Sequence, residues 1–535
     1  MSTFYLVVVD TVGIQSYVFA SNRLRENIGA SHLVYQATKG WLVDEPDAFL
    51  PAPHNVIQRQ NRQDQAAGGV ESGELAAELL YAGGGNTVLL FRERADAAAY
   101  LGALHERLLT RAPGLKIATI IEEVDWDTSL AAGMDAAFER LKQKKMMQEY
   151  ARPLQGLGVT VAGRSSGLAA NVVVKEPGGG RWLPLSNEVV AKWEHNDAAK
   201  QRLNQEMGVY LEKDYEFPSQ FDDLGRSEGD KSYLAVVHAD GNGMGKLLEG
   251  IVTRYATMGG DKNREFIQRV RAFSDAATDA GRNAMQEVVK QVQAWNKAGT
   301  VVPAQPDEKG PKFLSLRPIV YGGDDVTFVC NGRLGLAAAK VFLDAFSEQS
   351  IPDVDGNPHP GMAAAGVAIV KTHYPFARAY QLAESLCHNA KVRFERKAPA
   401  LDWHRAQSGL FGSLSEIRER EYQEEWGDHP LSPQRTLLMR PISTSTDPVD
   451  GWRTWKNFRT ILGAFRSDAW PRNKVIKLRE TVIAGPEAVQ RYTETYGRRL
   501  PKIDLDASQY RHRGWHGNRC VYFDAIEMID QEAIL

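Results

Sequence analysis

The chain repeats one pattern of strands and helices, and this repeat limits the folds that are available to it. Residues 5–9 form a short run rich in β-branched side chains, and residues 233–237 nearly copy it 228 positions later. Both runs have the composition of a buried strand. A glycine follows each run, Gly13 or Gly241, and the sequence then takes on helical character. Two units of the chain therefore begin with a strand that leads through a turn into a helix.

Each copy later contains a hairpin pattern whose tip carries adjacent glycines. The first hairpin is at 79–91 and the second at 318–330, an offset of 239 positions. Helical and then strand-like sequence follows, at 97–109 and 115–121 in the first copy and at 334–346 and 362–370 in the second. The order strand, helix, hairpin, helix, strand is that of the ferredoxin-like fold, called a palm in nucleotide-polymerising proteins. We therefore predict an α+β protein with two ferredoxin-like palm domains.

The rest of the chain divides around these two units. Residues 126–229 are mixed, with helical character, and contain no clear site. After residue 405 the pattern becomes helical and aromatic, with large side chains at helical spacing: Trp452, Trp455, Phe458, Leu462 and Phe465. The predicted domains are a first palm at 1–125, an inter-palm domain at 126–229, a second palm at 230–405 and a helical C-terminal domain at 406–535.

Composition narrows the class of protein. The 535 residues are too many for one hydrophobic core, and a net charge of −3 argues against a general nucleic-acid coat. The cysteines, Cys330, Cys387 and Cys520, lie far apart and fit a reducing compartment. The N-terminus has no signal-peptide features and no apolar stretch has the length of a membrane span. We therefore expect a cytoplasmic protein that does not enter membranes.

One basic segment, residues 511–519, carries arginines and histidines interleaved with Trp515. Such a mixture suits contact with single-stranded RNA. It also occurs in solvated strands and loops, and the near-neutral charge of the chain favours that second interpretation.

The strongest chemical pattern lies at the tip of the second hairpin. Gly322, Gly323, Asp324 and Asp325 stand between two strand-like sequences. Glycines allow positive φ angles and a close approach of phosphate. Two adjacent carboxylates repel each other, and a divalent cation removes that repulsion. The same residues would also make a good polar turn without further function, so the motif alone leaves both interpretations open.

A second pattern follows the strand of the second copy. Asp240 ends that strand, and a glycine-rich turn then leads into a helix through Gly241, Asn242, Gly243, Met244 and Gly245. A strand, a glycine turn and a helix start present backbone N–H groups to a phosphate. By itself such a turn is more often only a loop.

The two patterns are more informative together than apart. In a ferredoxin-like sheet the first strand neighbours the central hairpin, so Asp240 should lie beside Asp324 and Asp325. Three carboxylates at one sheet edge predict a site for two Mg²⁺ or Mn²⁺ ions that catalyses nucleotidyl transfer. We expect these three aspartates and the backbone of Gly241 to hold the metal ions.

Nucleotide contacts are predicted from three parts of this site. The glycine-rich turn at 241–245 should bind the triphosphate, and Gly322 and Gly323 should allow the nucleotide to approach the hairpin. Lys391 lies near the end of a later helix and could reach the triphosphate. The alternative for Lys391 is a solvated lysine that interacts with the helix dipole.

Residues 233–404 resemble the second palm of the large, signal-generating subunit of type III CRISPR complexes, the CRISPR polymerase family. They are more distantly similar to GGDEF diguanylate cyclases and class III adenylyl cyclases. The resemblance rests on motifs at 240–245, 322–325 and 390–391, and residues 9–36 resemble the first palm of the same family. It implies ATP as substrate, two divalent metal ions, and a cyclic oligoadenylate made with release of pyrophosphate during anti-phage defence.

The resemblance also implies partners, namely other CRISPR-type subunits together with guide and target RNA; a homo-oligomer is left open. Two alternatives stay open at this point. The chain could be a nucleotide-binding subunit of an RNA-guided complex with little intrinsic catalysis. It could also be a cyclase that makes a mono- or dinucleotide product.

The sequence departs from the family pattern in three places. Aligned without gaps, the first copy has Val12 where the second has Asp240, and its hairpin has Gly85 and Asn86 in place of the two acids. We therefore predict a first palm that has lost every metal ligand and only completes the nucleotide pocket. Residues 125–230 contain no cysteine, so a zinc module is not expected. No His-Asp dipeptide occurs, so we do not expect the DNA-cleaving HD domain with which such subunits often begin.

Overall fold

The structure is a computed structural model that describes residues 3–61, 68–147, 157–176, 180–225, 233–305, 310–406, 412–424, 435–445, 451–531 and 533–534. Helices and strands are both abundant and belong to the same units. The chain is therefore an α+β protein, as predicted. The predicted boundary between residues 229 and 230 lies outside the described residues.

The first sheet has four antiparallel strands in the order β2-β3-β1-β4, which is the order of a ferredoxin-like unit. A π-helical turn, Gln36–Gly40, links two of the helices that follow its first strand. The elements are β1 (Thr3–Val12), α1 (Ile14–Phe19), α2 (Leu24–Tyr35), α3 (Trp41–Asp44), α4 (Val56–Gln60), β2 (Ala77–Gly83), β3 (Asn86–Phe91), α5 (Arg94–Arg111), β4 (Lys116–Asp125) and α6 (Leu130–Met146).

The central strand β1 is buried on both faces. Leu6 and Val8 belong to one core cluster, and Val7 and Val9, which point to the opposite face, belong to another. Burial on both sides explains why this strand is a continuous apolar run rather than an alternating one. The first sheet is therefore enclosed by the rest of the molecule.

The inter-palm region is small and mixed. It contains β5 (Val172–Lys175), β6 (Trp182–Leu185), α7 (Asn187–Glu194), α8 (Asn196–Glu206) and β7 (Tyr215–Glu216). β5 and β6 form a hairpin, and α7 and α8 both pack on α2 of the first palm. This region therefore attaches to the first palm by its helices.

The second sheet repeats the same core order and extends it. Its strands run β10-β11-β8-β14-β15-β18, so the first four correspond to the complete first sheet. The elements are β8 (Tyr233–Gly241), α9 (Met244–Tyr255), α10 (Asp261–Lys297), β9 (Lys312–Phe313), β10 (Leu316–Val320), β11 (Val326–Asn331), α11 (Gly335–Ser347), β12 (Ser350–Pro352), β13 (Pro358–Pro360), β14 (Ala363–Lys371), α12 (Phe376–Arg393) and β15 (Ala400–Arg405). β15 lies parallel to β14, beyond the ferredoxin-like core.

The long helix α10 joins the two palms. Its apolar stripe is buried, with Phe266, Val270, Ala284 and Val288 each at most 1% exposed. Buried and half-buried arginines on its other face reach Glu78 of β2, in the first sheet: Arg264 and Arg271. The two sheets are therefore held by one shared element rather than by a loop.

The C-terminal region is mainly helical but also contains strands: α13 (Leu414–Tyr422), β16 (Gln423–Glu424), β17 (Arg435–Thr436), β18 (Ile442–Ser443), α14 (Trp455–Arg466), α15 (Arg472–Ile483), α16 (Pro486–Thr495), α17 (Tyr510–Arg513), β19 (Trp515–His516), β20 (Arg519–Cys520) and α18 (Phe523–Met528). β18 completes the second sheet, and the other strands form a small sheet of their own. Four of the five residues of the predicted face lie on α14, where Phe458 and Leu462 are fully buried, and Trp452 lies before the helix begins.

Residues of the basic segment 511–519 make contacts within the C-terminal region. Trp515 is buried, Arg511 donates to the carbonyl of Leu500, and Arg513 pairs with Glu487. Across the described ranges, no helix combines the length and apolarity that crossing a bilayer requires.

Candidate functional site

Three aspartates meet at one end of the second sheet. β8 ends at Gly241, and the pairing of Ala239 with Val326 sets Asp240 opposite Asp325 at the next position. The N–H of Gly241 donates to the carbonyl oxygen of Asp324 at 3.2 Å and ties the strand end to the hairpin turn. The fold thus gathers Asp240, Asp324 and Asp325 around the end of one strand.

Lys391 lies in the middle of this group. It is on the last turn of α12, its side chain is only 8% exposed, and its ammonium donates to Asp240 and to the carbonyl oxygen of Gly241 at 2.8 Å. Among the residues that the structure describes, no three His, Cys, Asp or Glu side chains form a ready-made metal cluster. The Lys391 ammonium instead contacts oxygens of Asp240 and Gly241.

Burial and mutual repulsion oppose the ionisation of the turn carboxylates. Desolvation, followed by the charges of Asp240 and Asp325, raises the pKa of Asp324 to about 7. Desolvation, Asp240 and Glu384 also raise the pKa of Asp325, although 51% of its side chain is exposed. Carboxylate and carbonyl oxygens that repel one another are a donor set that Mg²⁺ favours. The chemistry of these residues therefore fits a divalent cation.

Two further side chains next to Asp325 were not predicted from the sequence. His238 Nδ1 lies 3.4 Å from Asp325 Oδ1, and burial lowers the pKa of this histidine, which favours the neutral ring. Glu384 lies on α12 and accepts a hydrogen bond from Gln15 of the first palm at 2.5 Å. His238 precedes Asp240 by two residues on one strand, so its position on the same face could have been read from the sequence. The contact between Glu384 and Gln15 could not.

The glycine-rich turn after β8 has two distinct parts. A Cβ on Gly241 would lie 3.0 Å from Asp324 Cβ, so this position has little room for a side chain. Asn242 is buried and braces the turn, because its amide donates to the carbonyl of Ala398 at 3.1 Å. Gly243, with φ of 75°, caps α9, and Met244 begins the helix. The backbone from Gly243 onward is therefore the part of the turn that is available to a phosphate.

A helix and an arginine hold the hairpin turn in place. A Cβ on Gly281 of α10 would lie 1.8 Å from the carbonyl oxygen of Gly323, so the helix touches the turn directly. Arg202 of α8 donates to the carbonyl oxygen of Tyr321 at 3.2 Å and stacks on the rings of Tyr321 and Tyr35. Both contacts join distant parts of the chain, so they could not be predicted from a local sequence pattern.

Residues 233–400 match a family model described as Cas10/Cmr2, second palm domain. This segment, which is less than half of the chain, is similar to that domain. The match spans β8 to the start of β15 and includes Asp240, Asp324, Asp325 and Lys391. The resemblance drawn from the sequence motifs is thereby confirmed for the second palm.

Comparison with solved structures and curated proteins adds context. A crystal structure of a Csm1-Csm4 cassette in complex with cA4 matches with 14% identity and a TM-score of 0.48, covering 99% of this chain and 70% of that one. A cryo-EM structure of type III-B Cmr-beta in the apo state matches with 10% identity and a TM-score of 0.43, covering 75% and 70%. No curated protein matches the chain. At these scores the structural likeness is distant.

The second palm faces the first sheet across a cavity of about 240 Å³ between the two hairpin tips. Gly84 of the first hairpin lies 3.9 Å from the position that a Cβ on Gly323 would occupy, so the tips nearly touch. The cavity wall also includes Ser31, Tyr35, Lys39, Arg202, Asp324 and Asp325. A ligand in this cavity would contact both palms.

The first palm repeats the lysine–aspartate contact of the second palm. Lys145 on α6 donates to Asp10 and, at 3.3 Å, to the carbonyl oxygen of Thr11. Lys391 makes the same two contacts with Asp240 and the residue after it. In each palm, therefore, a lysine ammonium contacts the aspartate at the end of the first strand.

The register of the first sheet corrects one prediction. β1 pairs Asp10 with Asn86, which is the position that Asp240 and Asp325 occupy in the second sheet. The counterpart of Asp240 is therefore Asp10 and not Val12. The alignment of Val12 with Asp240 was wrong, because it was displaced by two residues, and the first palm keeps an acid at this position. That the first palm binds no metal ion stays a prediction.

Proposed function

We propose that this chain is a metal-dependent nucleotidyl cyclase that condenses ATP into a cyclic oligonucleotide, with the second palm as the catalytic unit. The 3′-hydroxyl of one nucleotide would attack the α-phosphate of another, and pyrophosphate would leave. The observation that carries the proposal is the convergence of Asp240, Asp324 and Asp325 in a segment that matches the Cas10/Cmr2 second palm. The finer domain scheme, with two palms, an insertion and a helical C-terminal domain, is part of this proposal.

The three aspartates and the carbonyl of Gly241 would hold two Mg²⁺ or Mn²⁺ ions, which supply activation of the 3′-hydroxyl and charge for the leaving pyrophosphate. Lys391 borders the same oxygens, so its ammonium is placed to bind a phosphate oxygen of the substrate. The first backbone N–H groups of α9, from Met244 and Gly245, have no partner within the helix and would bind the triphosphate.

The first palm would bind the second nucleotide. Its hairpin presents Gly84 and Gly85 to the shared cavity and offers no carboxylate there, while Asp10 is occupied by Lys145. A nucleotide on that side would have its 3′-hydroxyl directed to the second palm rather than its own phosphate activated. This arrangement predicts two nucleotides per chain, only one of which depends on metal.

The wider assignment follows from the family. Members are subunits of type III CRISPR effector complexes, so the proposed partners are other subunits with guide and target RNA, and the proposed role is second-messenger synthesis in anti-phage defence. A cytoplasmic location remains a prediction.

A second candidate is a nucleotide-binding subunit with little catalysis. The observation that favours it is the contact of Lys391 with both Asp240 and the Gly241 carbonyl. If this ammonium stays in place, it competes with a divalent ion for two of the proposed ligands.

Product analysis separates the two candidates. The purified chain is incubated with each nucleoside triphosphate and Mg²⁺ or Mn²⁺, and the products are identified by mass spectrometry. Cyclic adenylate products that disappear in Asp324→Ala/Asp325→Ala support the cyclase. Nucleotide binding without turnover, with and without partner subunits and target RNA, supports the binding subunit and contradicts the cyclase.

A further inference from the structure

A lysine of the first palm lies in the wall of the cleft between the palms. Lys39 belongs to the π-helical turn Gln36–Gly40, which continues α2 before α3 begins. A π-helical turn inserts one extra residue into a helix and is frequent at functional sites. Here it places the mostly buried Lys39 side chain at the cavity that the two glycine hairpin tips enclose.

The other cations that line this cavity are already paired. Arg202 contacts Glu206 at 2.7 Å, and Arg282 contacts Asp279. Lys39, by contrast, makes no hydrogen bond or ion pair with any residue in the described ranges. Unlike Arg202 and Arg282, the Lys39 ammonium is therefore available to bind an anionic ligand.

The surroundings of Lys39 do not favour its charge. Burial lowers the pKa of the ammonium group, and the carboxylates of Glu206 and Asp275, which do not contact it, offset this effect only in part. An uncompensated charge away from water destabilises a fold. Such a residue is expected to be compensated when a ligand brings the opposite charge.

The other lining residues indicate what kind of ligand fits. Gly84, Gly85, Gly322 and Gly323 line part of the cavity, so a ligand meets backbone and not side chains there. The volume of about 240 Å³ lies just below the usual range of small-molecule pockets, so the cavity has room for part of a nucleotide. An anionic group of that ligand would be repelled by the aspartates at one end of the cavity and attracted by Lys39.

We propose that Lys39 binds a phosphate of the nucleotide that the first palm holds, and that it does so without metal. This inference rests on the proposed function, since it assigns one residue to the metal-independent nucleotide. In that role Lys39 takes the place that divalent ions have in the second palm. The ligand is a nucleoside polyphosphate, and a nucleoside without phosphate would not use Lys39.

Binding without metal tests the proposal. Affinity for a non-hydrolysable ATP analogue and for adenosine is measured by titration calorimetry in the presence of EDTA. Lys39→Met should weaken analogue binding by about tenfold to a hundredfold, the usual range for a hydrogen bond to a charged group. Adenosine binding should not change, and Lys39→Arg should retain most of the affinity for the analogue.

Thermal unfolding of the apoprotein separates ligand binding from a structural role. Met is nearly isosteric with the stem of Lys and removes an uncompensated charge, so Lys39→Met should keep or raise the melting temperature. A matched control is Lys297→Met, because Lys297 is exposed and pairs with Glu212 far from the cleft. The control should leave analogue binding unchanged.

Three results would overturn the proposal: no analogue binding by the wild type in EDTA, equal losses for analogue and adenosine in Lys39→Met, or a lower melting temperature with unchanged affinity. These readouts need no turnover. A chain that binds the analogue through Lys39 but makes no product would contradict the cyclase and leave the Lys39 assignment standing.

Discussion

The two palms differ most at the tips of their hairpins. The first hairpin closes through Gly84 and Gly85 alone, with φ of 60° and 87°, which is the two-residue turn that matches strand twist. The second closes through five residues, 321–325. A Cβ on Gly85 would lie 2.5 Å from Ile14 Cδ1, so an aspartate there would be both strained and crowded. The first hairpin thus has no room for an acid at Gly85, the counterpart of Asp324, whereas Asn86 replaces Asp325 at a position that does accept a side chain.

What the two palms share is equally informative. Both keep an acid at the end of the first strand, both bind it with a lysine from the last turn of a helix, and both tie the next N–H to the hairpin carbonyl. The lysine–aspartate pair therefore belongs to the architecture of the unit. The adjacent acids of the longer turn are what distinguish the second palm.

The largest expected effect comes from removing the two adjacent acids of the second hairpin. Asp324→Ala/Asp325→Ala should reduce product formation by roughly a thousandfold or more, since metal-ion catalysis supplies several kcal/mol of charge stabilisation. The fold should persist, because these turn carboxylates have no packing role and repel one another. Product by mass spectrometry and melting by circular dichroism check both points. The matched change in the first palm, Asn86→Ala, should leave metal dependence unaltered, and turnover by a folded double variant would contradict the site.

The second comparison uses the equivalent acids of the two strands. Asp240→Asn should weaken Mg²⁺-supported binding of a non-hydrolysable ATP analogue by about tenfold or more at one of two sites. Asp10→Asn should leave the Mg²⁺ effect unchanged, because its palm lacks the other acids. Titration calorimetry with and without Mg²⁺ measures both effects. A single site per chain that vanishes without metal would point to catalysis across a dimer of second palms.

A third change tests how the long turn is held. Gly281→Ala would drive a methyl group into the Gly323 carbonyl and displace the turn. A shift of the reacting groups by about 1 Å can cost roughly a hundredfold in rate, so kcat should fall by about tenfold to a hundredfold. Gly463→Ala on α14 is the control, because a Cβ there meets nothing within 4 Å. It should leave kcat unchanged and stabilise the fold by about 0.5–1 kcal/mol. Normal kcat in Gly281→Ala would show that the turn is not constrained by this contact.

The smallest effect is a pH dependence that arises at Asp324 of the second palm. The pKa of Asp324 is raised from 3.8 to about 7 in the folded chain, so between these values the folded state binds more protons than the unfolded state. Stability of the metal-free protein should therefore fall as pH rises through this window. Asp324→Asn should reduce that fall, with a difference in melting temperature of a few degrees at pH 8 and none near pH 4. Melting curves in EDTA check this, and parallel curves for the two proteins would contradict the raised pKa.

Local sequence determined much of this molecule. Apolar runs, helical stripes and paired glycines are short-range patterns, and they predicted the α+β class and the strand and helix order around residues 5–9 and 233–237. The glycines and acids at 322–325 adjoin one another, and Asp240 adjoins its glycine-rich turn. Each motif is therefore visible in the local sequence. A strand and a hairpin that are neighbours in every ferredoxin-like sheet were enough to place these acids together.

Only the tertiary structure decided which residue of the first palm corresponds to Asp240. Offsets of 228 and 230 residues differ by one period of a strand, so both keep the same side chains on the same face and the apolar pattern cannot distinguish them. The hydrogen-bond register does distinguish them, in favour of Asp10. Gly281 and Arg202 likewise act through contacts with distant segments, and Lys39 is notable for its place in a cavity that distant segments line together. Their local sequences resemble any helix, and packing across the whole chain gives them a role.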